Sequence, residues 1–167
     1  TLLMVDPNCR PGTVRDREAY VARLRRVFRR ADIVKASVED FAYLFPGLPP
    51  GKAAAGLLEQ GTALVLITDG GRPARGYLPD AAGTPGVTEI SVPVPAVDVV
   101  DTIGAGDAFG GGFLARWTAA GHSRAELRPP DQGLAETVRD AIEYAARVAA
   151  LTCTRPGADP PVAADLA

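Results

Sequence analysis

Lysine, cysteine and aromatic residues are scarce in this chain of 167 residues, and each shortage narrows what the protein can be. Aromatic residues make up 6% of the chain, which has a single histidine and two cysteines, Cys9 and Cys153. The cysteines show neither CxxC spacing nor a neighbouring histidine, which argues against zinc ribbons and redox-active dithiols. We therefore expect a cytoplasmic protein without disulfides.

The charge and the lengths of the apolar runs exclude two classes of partner. The formal net charge is −2 at pH 7, so the overall charge predicts no binding to nucleic acid and none to an anionic membrane. No uncharged apolar run approaches the roughly 18 residues of a membrane span. The length and the 47% hydrophobic content instead predict one globular domain over residues 1–167.

Hydrophobic periodicity predicts strands that alternate with helices. Continuous apolar runs predict buried strands at 1–5, 32–35 and 63–67, and alternating segments predict edge or antiparallel strands at 75–78 and 87–97. Helical spacing predicts helices at 16–30, 38–45, 52–60 and 136–151, and a further helix after Asp107 whose core residues are Phe109, Phe113 and Trp117. This alternation indicates an α/β fold with a mainly parallel sheet.

The most informative segment is DTIGAGDAFGGG, from Asp101 to Gly112. It places a glycine-rich turn before a helix, and unpaired amides at the start of a helix attract anions. Gly104 and Gly106 allow the backbone to approach a phosphate closely. Asp107 has two interpretations: a base that accepts a proton from an attacking hydroxyl group during phosphoryl transfer, or an ordinary acidic residue of the first helical turn.

Three other segments match phosphate-binding motifs less well. The glycines at 104, 106 and 110 resemble a dinucleotide fingerprint, but no strand with a terminal acid follows them, which weighs against a dehydrogenase. Segment 46–52 ends in Gly-Lys but lacks the first glycine and the Ser or Thr of a P-loop. The arginines from Arg23 to Arg30 are typical of a solvated helix face.

The segment from Asp101 to Phe109 resembles the DTxGAGDxF signature of the ribokinase-like, or PfkB, family of carbohydrate kinases in every fixed position. Other segments resemble fructokinase-like members in the same order, namely DPNCRP at 6–11, ADIVKAS at 31–37, LITDG at 66–70 and the stretch 145–158. The resemblance implies a three-layer α/β/α fold. It covers only the C-terminal half of such kinases, so it implies that the sugar pocket lies outside this chain and that the chain alone is inactive.

The resemblance also implies roles for individual residues. Asp107 would be the base that deprotonates a sugar hydroxyl group, and Gly104, Ala105 and Gly106 would form the anion hole for the transferred phosphoryl group. The implied nucleotide contacts are Thr68, Gly70, Thr102, Gly157 and Ala158. Pro73 departs from the family pattern, because it stands where the TxGxxG loop has its second glycine.

Metal sites follow from the same resemblance. Asp101 would help to hold a monovalent cation, expected to be K⁺, behind the anion hole. Ser37 with Glu39 or Asp40 falls where the family's NxxE element organises Mg²⁺ and phosphate, with serine in place of asparagine. From the residues alone, Ser37 is equally well explained as the N-cap of the following helix.

The function that the resemblance implies is a sugar kinase, which transfers the γ-phosphoryl group of magnesium-bound ATP to a primary hydroxyl group. Fructose is the first expectation for the acceptor. A 2-keto-3-deoxygluconate or nucleoside kinase of the same family is the alternative, as is a nucleotide-binding module without catalysis. The expected partners are ATP and a small sugar, and the resemblance also allows a homo-oligomer.

Overall fold

The computed structural model describes residues 1–80, 86–128 and 133–166, which form a five-stranded sheet covered by helices. The strands lie side by side in chain order: β1 Met4–Val5, β2 Ile33–Ser37, β3 Leu64–Asp69, β4 Arg72–Pro79 and β5 Val87–Val92. The α-helices of the described residues are α1 Arg17–Phe28, α2 Val38–Leu44, α3 Pro50–Glu59, α4 Ala105–Ala119 and α5 Leu134–Cys153. The predicted α/β class is confirmed.

The sheet is mixed, whereas the sequence predicts a mainly parallel one. β1, β2 and β3 pair in parallel, because the helices between them carry the chain back across a face of the sheet. The short turn Gly70-Gly71 between β3 and β4 permits only an antiparallel hairpin, and β5 is antiparallel to β4. The antiparallel prediction for this region is therefore confirmed. β5 ends at Val92, because Pro93 and Pro95 supply no backbone N–H group.

The helices begin where the sequence offers a suitable start. The Asp16 side chain accepts a hydrogen bond from the Ala19 N–H at 3.0 Å at the start of α1, and Pro50 occupies the first position of α3. These starts lie within two residues of the predicted ones. None of the helices in the described residues combines the length and the apolar character that crossing a membrane requires.

Apolar side chains form two cores, one on each face of the sheet. Along β3, Leu64 and Leu66 belong to the core beneath α4 and α5, and Val65 and Ile67 belong to the core beneath α1, α2 and α3. We call these the α4–α5 core and the α1–α3 core. The aromatic residues that the sequence predicts as core are buried in the α4–α5 core: Phe109, Phe113 and Trp117. Helices on both faces give the three-layer arrangement.

The carboxyl ends of the three parallel strands meet at one edge, which is where open α/β sheets bind ligands. Asp6 follows β1, Ser37 ends β2, and Thr68 near the end of β3 is the register partner of Ser37. The first turn of α4 reaches the same edge, because Gly106 lies next to the side chain of Lys35 on β2. The fold therefore brings the glycine-rich turn and the strand ends together.

Substitutions at two adjacent positions of α3 test the placement of this helix against the α1–α3 core. Gly56 has open space where a Cβ atom would lie, so Gly56→Ala is expected to raise the free energy of unfolding by about 0.5–1 kcal/mol. Leu57 is buried in the α1–α3 core, so Leu57→Ala is expected to lower it by about 2–5 kcal/mol. Urea denaturation measures both changes, and a destabilised Gly56→Ala variant would contradict the placement of α3.

Candidate active site

The turn that leads into α4 depends on the glycine at position 104. Gly104 is the N-cap of α4 and has a φ of +80°, in the left-handed region that favours glycine. A Cβ atom at this position would lie 2.7 Å from the Cβ of Ala158 and 3.1 Å from its Cα. Both the backbone conformation and the close contact therefore exclude a side chain here.

The first turn of α4 presents backbone amides that have no acceptor. The Ala105 N–H donates to the Thr102 carbonyl at 3.3 Å and so closes the turn. The N–H groups of Gly106 and Asp107 donate to no acceptor within the described ranges. Because they lie at the positive end of a 15-residue helix, these two amides form a candidate anion site. Of the residues predicted for the anion hole, Gly106 thus contributes a free amide.

The Asp107 carboxylate is exposed in this same turn. It forms no hydrogen bond and no ion pair with any residue that the structure describes. A carboxylate without a partner beside an anion site has both oxygens available to accept a proton. The geometry is compatible with the predicted base, and that role stays a prediction.

Asp101 connects the turn before α4 to a later part of the chain. Its carboxylate accepts the Ile103 N–H at 3.0 Å and the Gly157 N–H at 2.9 Å. These two backbone hydrogen bonds hold the pKa of the Asp101 carboxyl below its ordinary value. The second bond also holds the segment of Gly157 and Ala158 against Gly104. The predicted role of Asp101 toward a monovalent cation stays a prediction.

A cleft of about 440 Å³ lies between α4, α5 and the segment that follows α5. Gly104 and Asp107 line it together with Val148 and Thr152 of α5, and Ala158 completes this part of the wall. The walls are mostly apolar, and the cleft adjoins the free amides of α4. This combination suits a nucleotide, because the base needs apolar surface and the phosphates need N–H donors.

Four of the predicted nucleotide contacts do not line this cleft, and one of them, Gly157, is next to the lining residue Ala158 and donates to Asp101. Thr68 is half-buried near the end of β3, Gly70 has a φ of +55° in the next turn, and Thr102 is exposed before α4. Their roles stay predictions. Pro73, at the position of the second family glycine, is paired with neither neighbouring strand, so its missing N–H costs the sheet no hydrogen bond.

Ser37 caps α2, as one of its two interpretations predicts. Its Oγ accepts the Asp40 N–H at 3.1 Å, and the Asp40 carboxylate accepts the Ser37 N–H at 3.0 Å, which forms a capping box. The other oxygen of the buried Asp40 carboxylate accepts the Cys9 N–H at 2.7 Å. Asp40 therefore fixes backbone at the edge of the sheet, whereas Glu39 is exposed at the start of α2.

The part of the chain that the structure describes places no group of three or more His, Cys, Asp or Glu side chains so that they could hold a metal ion. A Mg²⁺ ion that arrives with a nucleotide needs only one or two carboxylates, because phosphate oxygens and water complete its coordination. The exposed Glu39 fits this requirement better than Asp40, whose oxygens already accept hydrogen bonds. The predicted roles of Ser37, Glu39 and Asp40 toward magnesium stay predictions.

Sequence reasoning missed Lys35, which lies in the middle of β2. Its side chain is buried, and its ammonium group donates to the Asp6 carboxylate at 2.7 Å beside Gly106. The sequence does contain a signal for this residue. Lys35 is one of the two lysines of the chain and lies inside an apolar strand, where a lysine is rare unless its charge is paired.

Comparison with known proteins identifies the family of this chain. The pfkB family carbohydrate kinase model matches residues 4–165. A fructokinase from Rhizobium leguminosarum bv. trifolii is 40% identical over 114 residues, which are 68% of this chain and 33% of that protein. The chain spans less than half the length of the curated relatives that it matches.

Solved structures share the fold. A fructokinase from Vibrio cholerae O395 with bound fructose, ADP and calcium is 29% identical, with a TM-score of 0.75 over 93% of this chain and 45% of its own. A Xylella fastidiosa fructokinase with bound ATP is 32% identical, with a TM-score of 0.74 over 94% of this chain and 47% of its own. A Thermotoga maritima ribokinase, 22% identical, has the same fold at a TM-score of 0.64 over 94% of this chain and 44% of its own. The fold is the predicted ribokinase-like one, and the chain belongs to the pfkB family of carbohydrate kinases.

Proposed function

We propose that the protein containing this chain is an ATP-dependent kinase that transfers the γ-phosphoryl group to a primary hydroxyl group of fructose. One observation carries the proposal: the free Asp107 carboxylate lies in the same helical turn as two amides without acceptors. Amides alone would suit any phosphate ligand. A free carboxylate beside them suits a reaction in which a hydroxyl group must lose its proton.

Fructose is the first choice of acceptor because of the relatives. The Rhizobium relative is a fructokinase, and the Vibrio cholerae fructokinase binds fructose together with ADP. The preference for fructose over a 2-keto-3-deoxy sugar acid or a nucleoside therefore depends on similarity, and a panel of acceptors tests it directly.

The chemistry assigns each group one task. The sugar oxygen forms a bond to the γ-phosphorus, the bond from that phosphorus to the bridging oxygen of ADP breaks, and the hydroxyl proton passes to Asp107. The amides of Gly106 and Asp107 stabilise the charge on the phosphoryl oxygens. The cleft along α5 holds the adenosine portion. Mg²⁺ held through Glu39, and K⁺ near Asp101, would neutralise charge on the nucleotide when they are bound.

The first prediction concerns the base. In the intact gene product, Asp107→Asn is expected to lower kcat about 10²–10⁴-fold, which is the usual contribution of a general base. ATP affinity is expected to hold or to rise, because the substitution removes a negative charge near the phosphates. ADP release in the presence of fructose measures the first change, and titration calorimetry with ATP measures the second.

The matched control for this prediction is Glu18→Gln, which neutralises an exposed acid on α1 on the opposite side of the sheet from α4. Its turnover and ATP affinity should equal those of the wild type. Turnover at the wild-type rate in Asp107→Asn would show that Asp107 is not the base.

A second prediction concerns the wall of the cleft. Gly104→Ala forces a left-handed alanine, which costs about 1–2 kcal/mol of stability, and brings a Cβ atom to 2.7 Å from the Cβ of Ala158. We expect the segment at 157–158 to shift and ADP to bind more weakly. Gly121→Ala is the control, because Gly121 has a similar φ of +82° but open space around it.

Gly104→Ala should therefore lose at least as much stability as Gly121→Ala, and only Gly104→Ala should lose affinity for ADP. Thermal unfolding and titration calorimetry with ADP separate the two effects. Equal ADP affinity in both variants would contradict the role of the contact between Gly104 and Ala158 in shaping the cleft.

A further inference from the structure

Lys35 is a buried cation at the edge of the sheet where the anion site lies. Its side chain is 4% exposed, on the central residue of β2. Its register partner on β3 is Leu66, which belongs to the α4–α5 core, so Lys35 points to the face that carries α4. Burying an ammonium group is costly, and a protein retains one when the charge is paired or used.

Two contacts fix the position of the ammonium group. Its Nζ atom donates to Asp6 Oδ2 at 2.7 Å. On the other side, a Cβ atom at Gly106 would lie 3.0 Å from the same Nζ. The second glycine of the GAG sequence therefore leaves room for the ammonium group, which lies directly against the first turn of α4. Gly106 is also one of the two residues whose amides have no acceptor.

Asp6 balances the charge of Lys35, but hydrogen-bond donors are left over at this point, since an ammonium group has three N–H groups and the described residues supply it with one acceptor. Among the described residues, Asp6 is the carboxylate that pairs with Lys35, and its other oxygen already accepts the Asn8 N–H at 3.1 Å. The ammonium group faces the positive end of a helix, where a cation is unfavourable. Asp107 in the same turn forms no ion pair with Lys35. An anionic ligand at Gly106 would accept hydrogen bonds from the ammonium group and from the adjacent amides of α4.

We propose that Lys35 is a further catalytic residue, whose ammonium group contacts the transferring phosphoryl group over Gly106. The proposal rests on the kinase function proposed above. Lys35 gives up no proton in this role: it keeps its charge while the sugar oxygen bonds to phosphorus, the bond to ADP breaks and the hydroxyl proton goes to Asp107. A fixed cation in a partly dry site stabilises the charge on the phosphoryl oxygens more strongly than mobile water does.

The first test removes the charge and keeps the length of the side chain. In the intact gene product, Lys35→Met is expected to lower kcat with ATP and fructose about 10²–10³-fold. The KM for fructose should change by less than about threefold, because the interaction forms mainly in the transition state. Lys52→Met is the matched control, since Lys52 is the other lysine of the chain and is exposed on α3. It should turn over like the wild type.

A double variant distinguishes a contact between Lys35 and the phosphoryl group from a purely structural ion pair between Lys35 and Asp6. Asp6→Asn/Lys35→Met removes both members of the ion pair, so no buried charge is left without its partner. If Lys35 only neutralised Asp6, turnover would return in the double variant, and this result would overturn the proposal. Turnover as low as in Lys35→Met, with a thermal unfolding temperature near that of the wild type, supports it.

A binding measurement tests Lys35 independently of turnover. Inorganic phosphate is the probe, titrated against chloride at equal ionic strength, and the thermal unfolding temperature is the measured quantity. Phosphate should stabilise the wild type and should stabilise Lys35→Met less. It should stabilise Asp6→Asn more, because the ammonium group has lost its counter-ion. A purely structural ion pair predicts equal effects in the two single variants, which would overturn the proposal.

The outcomes separate this proposal from the kinase function. If fructose is phosphorylated while Lys35→Met matches the wild type in turnover and in its phosphate response, the Lys35 proposal fails and the kinase function stands. If no sugar is phosphorylated but phosphate raises the thermal unfolding temperature of the wild type and not of Lys35→Met, the kinase function fails. The proposed catalytic role of Lys35 fails with it. The contact of Lys35 with a phosphate group is then supported. Absence of both turnover and phosphate response in the wild type overturns both.

Discussion

Two backbone amides at the start of α4 have no acceptor among the residues that the structure describes, and much of the structure serves to fix where they point. Gly104 turns the chain into the helix in a conformation that alanine would adopt only under strain. Asp101 holds that turn against a later segment, and the buried aromatic residues of α4 hold the rest of the helix on the sheet. None of these contacts satisfies the amides. The donors are therefore already oriented before a ligand arrives, which is the condition for electrostatic stabilisation without reorganisation.

The two aspartates of the DTIGAGD sequence show how environment separates identical side chains. Asp101 uses both of its oxygens on backbone N–H groups, and its pKa is lowered for that reason. It is therefore committed to the charged form and to holding two segments together. Asp107, six positions later, has no such bonds in the described structure. The sequence motif alone does not show this difference in environment, and the hydrogen bonds do.

Local patterns in the sequence predict the helices, the strands and the position of the anion site, because each depends on residues close together in the chain. Helical spacing identifies the buried face of α4, and the alternating pattern identifies the antiparallel strands β4 and β5. What could not be predicted comes from tertiary contacts. The pairing of Lys35 with Asp6 joins residues that are 29 positions apart, and no periodicity connects them. The cap formed by Ser37 is a local feature, yet only the structure shows that Asp40 also holds the Cys9 backbone.

The bond from Asp101 to Gly157 joins residues that are 56 positions apart, with the whole of α5 between them. This has a consequence for protein synthesis. A chain that has left the ribosome through α4 already carries the free amides and the Asp107 carboxylate, but it lacks α5 and the segment of Ala158 that line the cleft. Such a nascent chain has the first turn of α4 but lacks the wall of the cleft that α5 and the segment of Ala158 supply. If the cleft binds the nucleotide as proposed, nucleotide binding is acquired late in translation, after the sheet and the α1–α3 core have their full sequence.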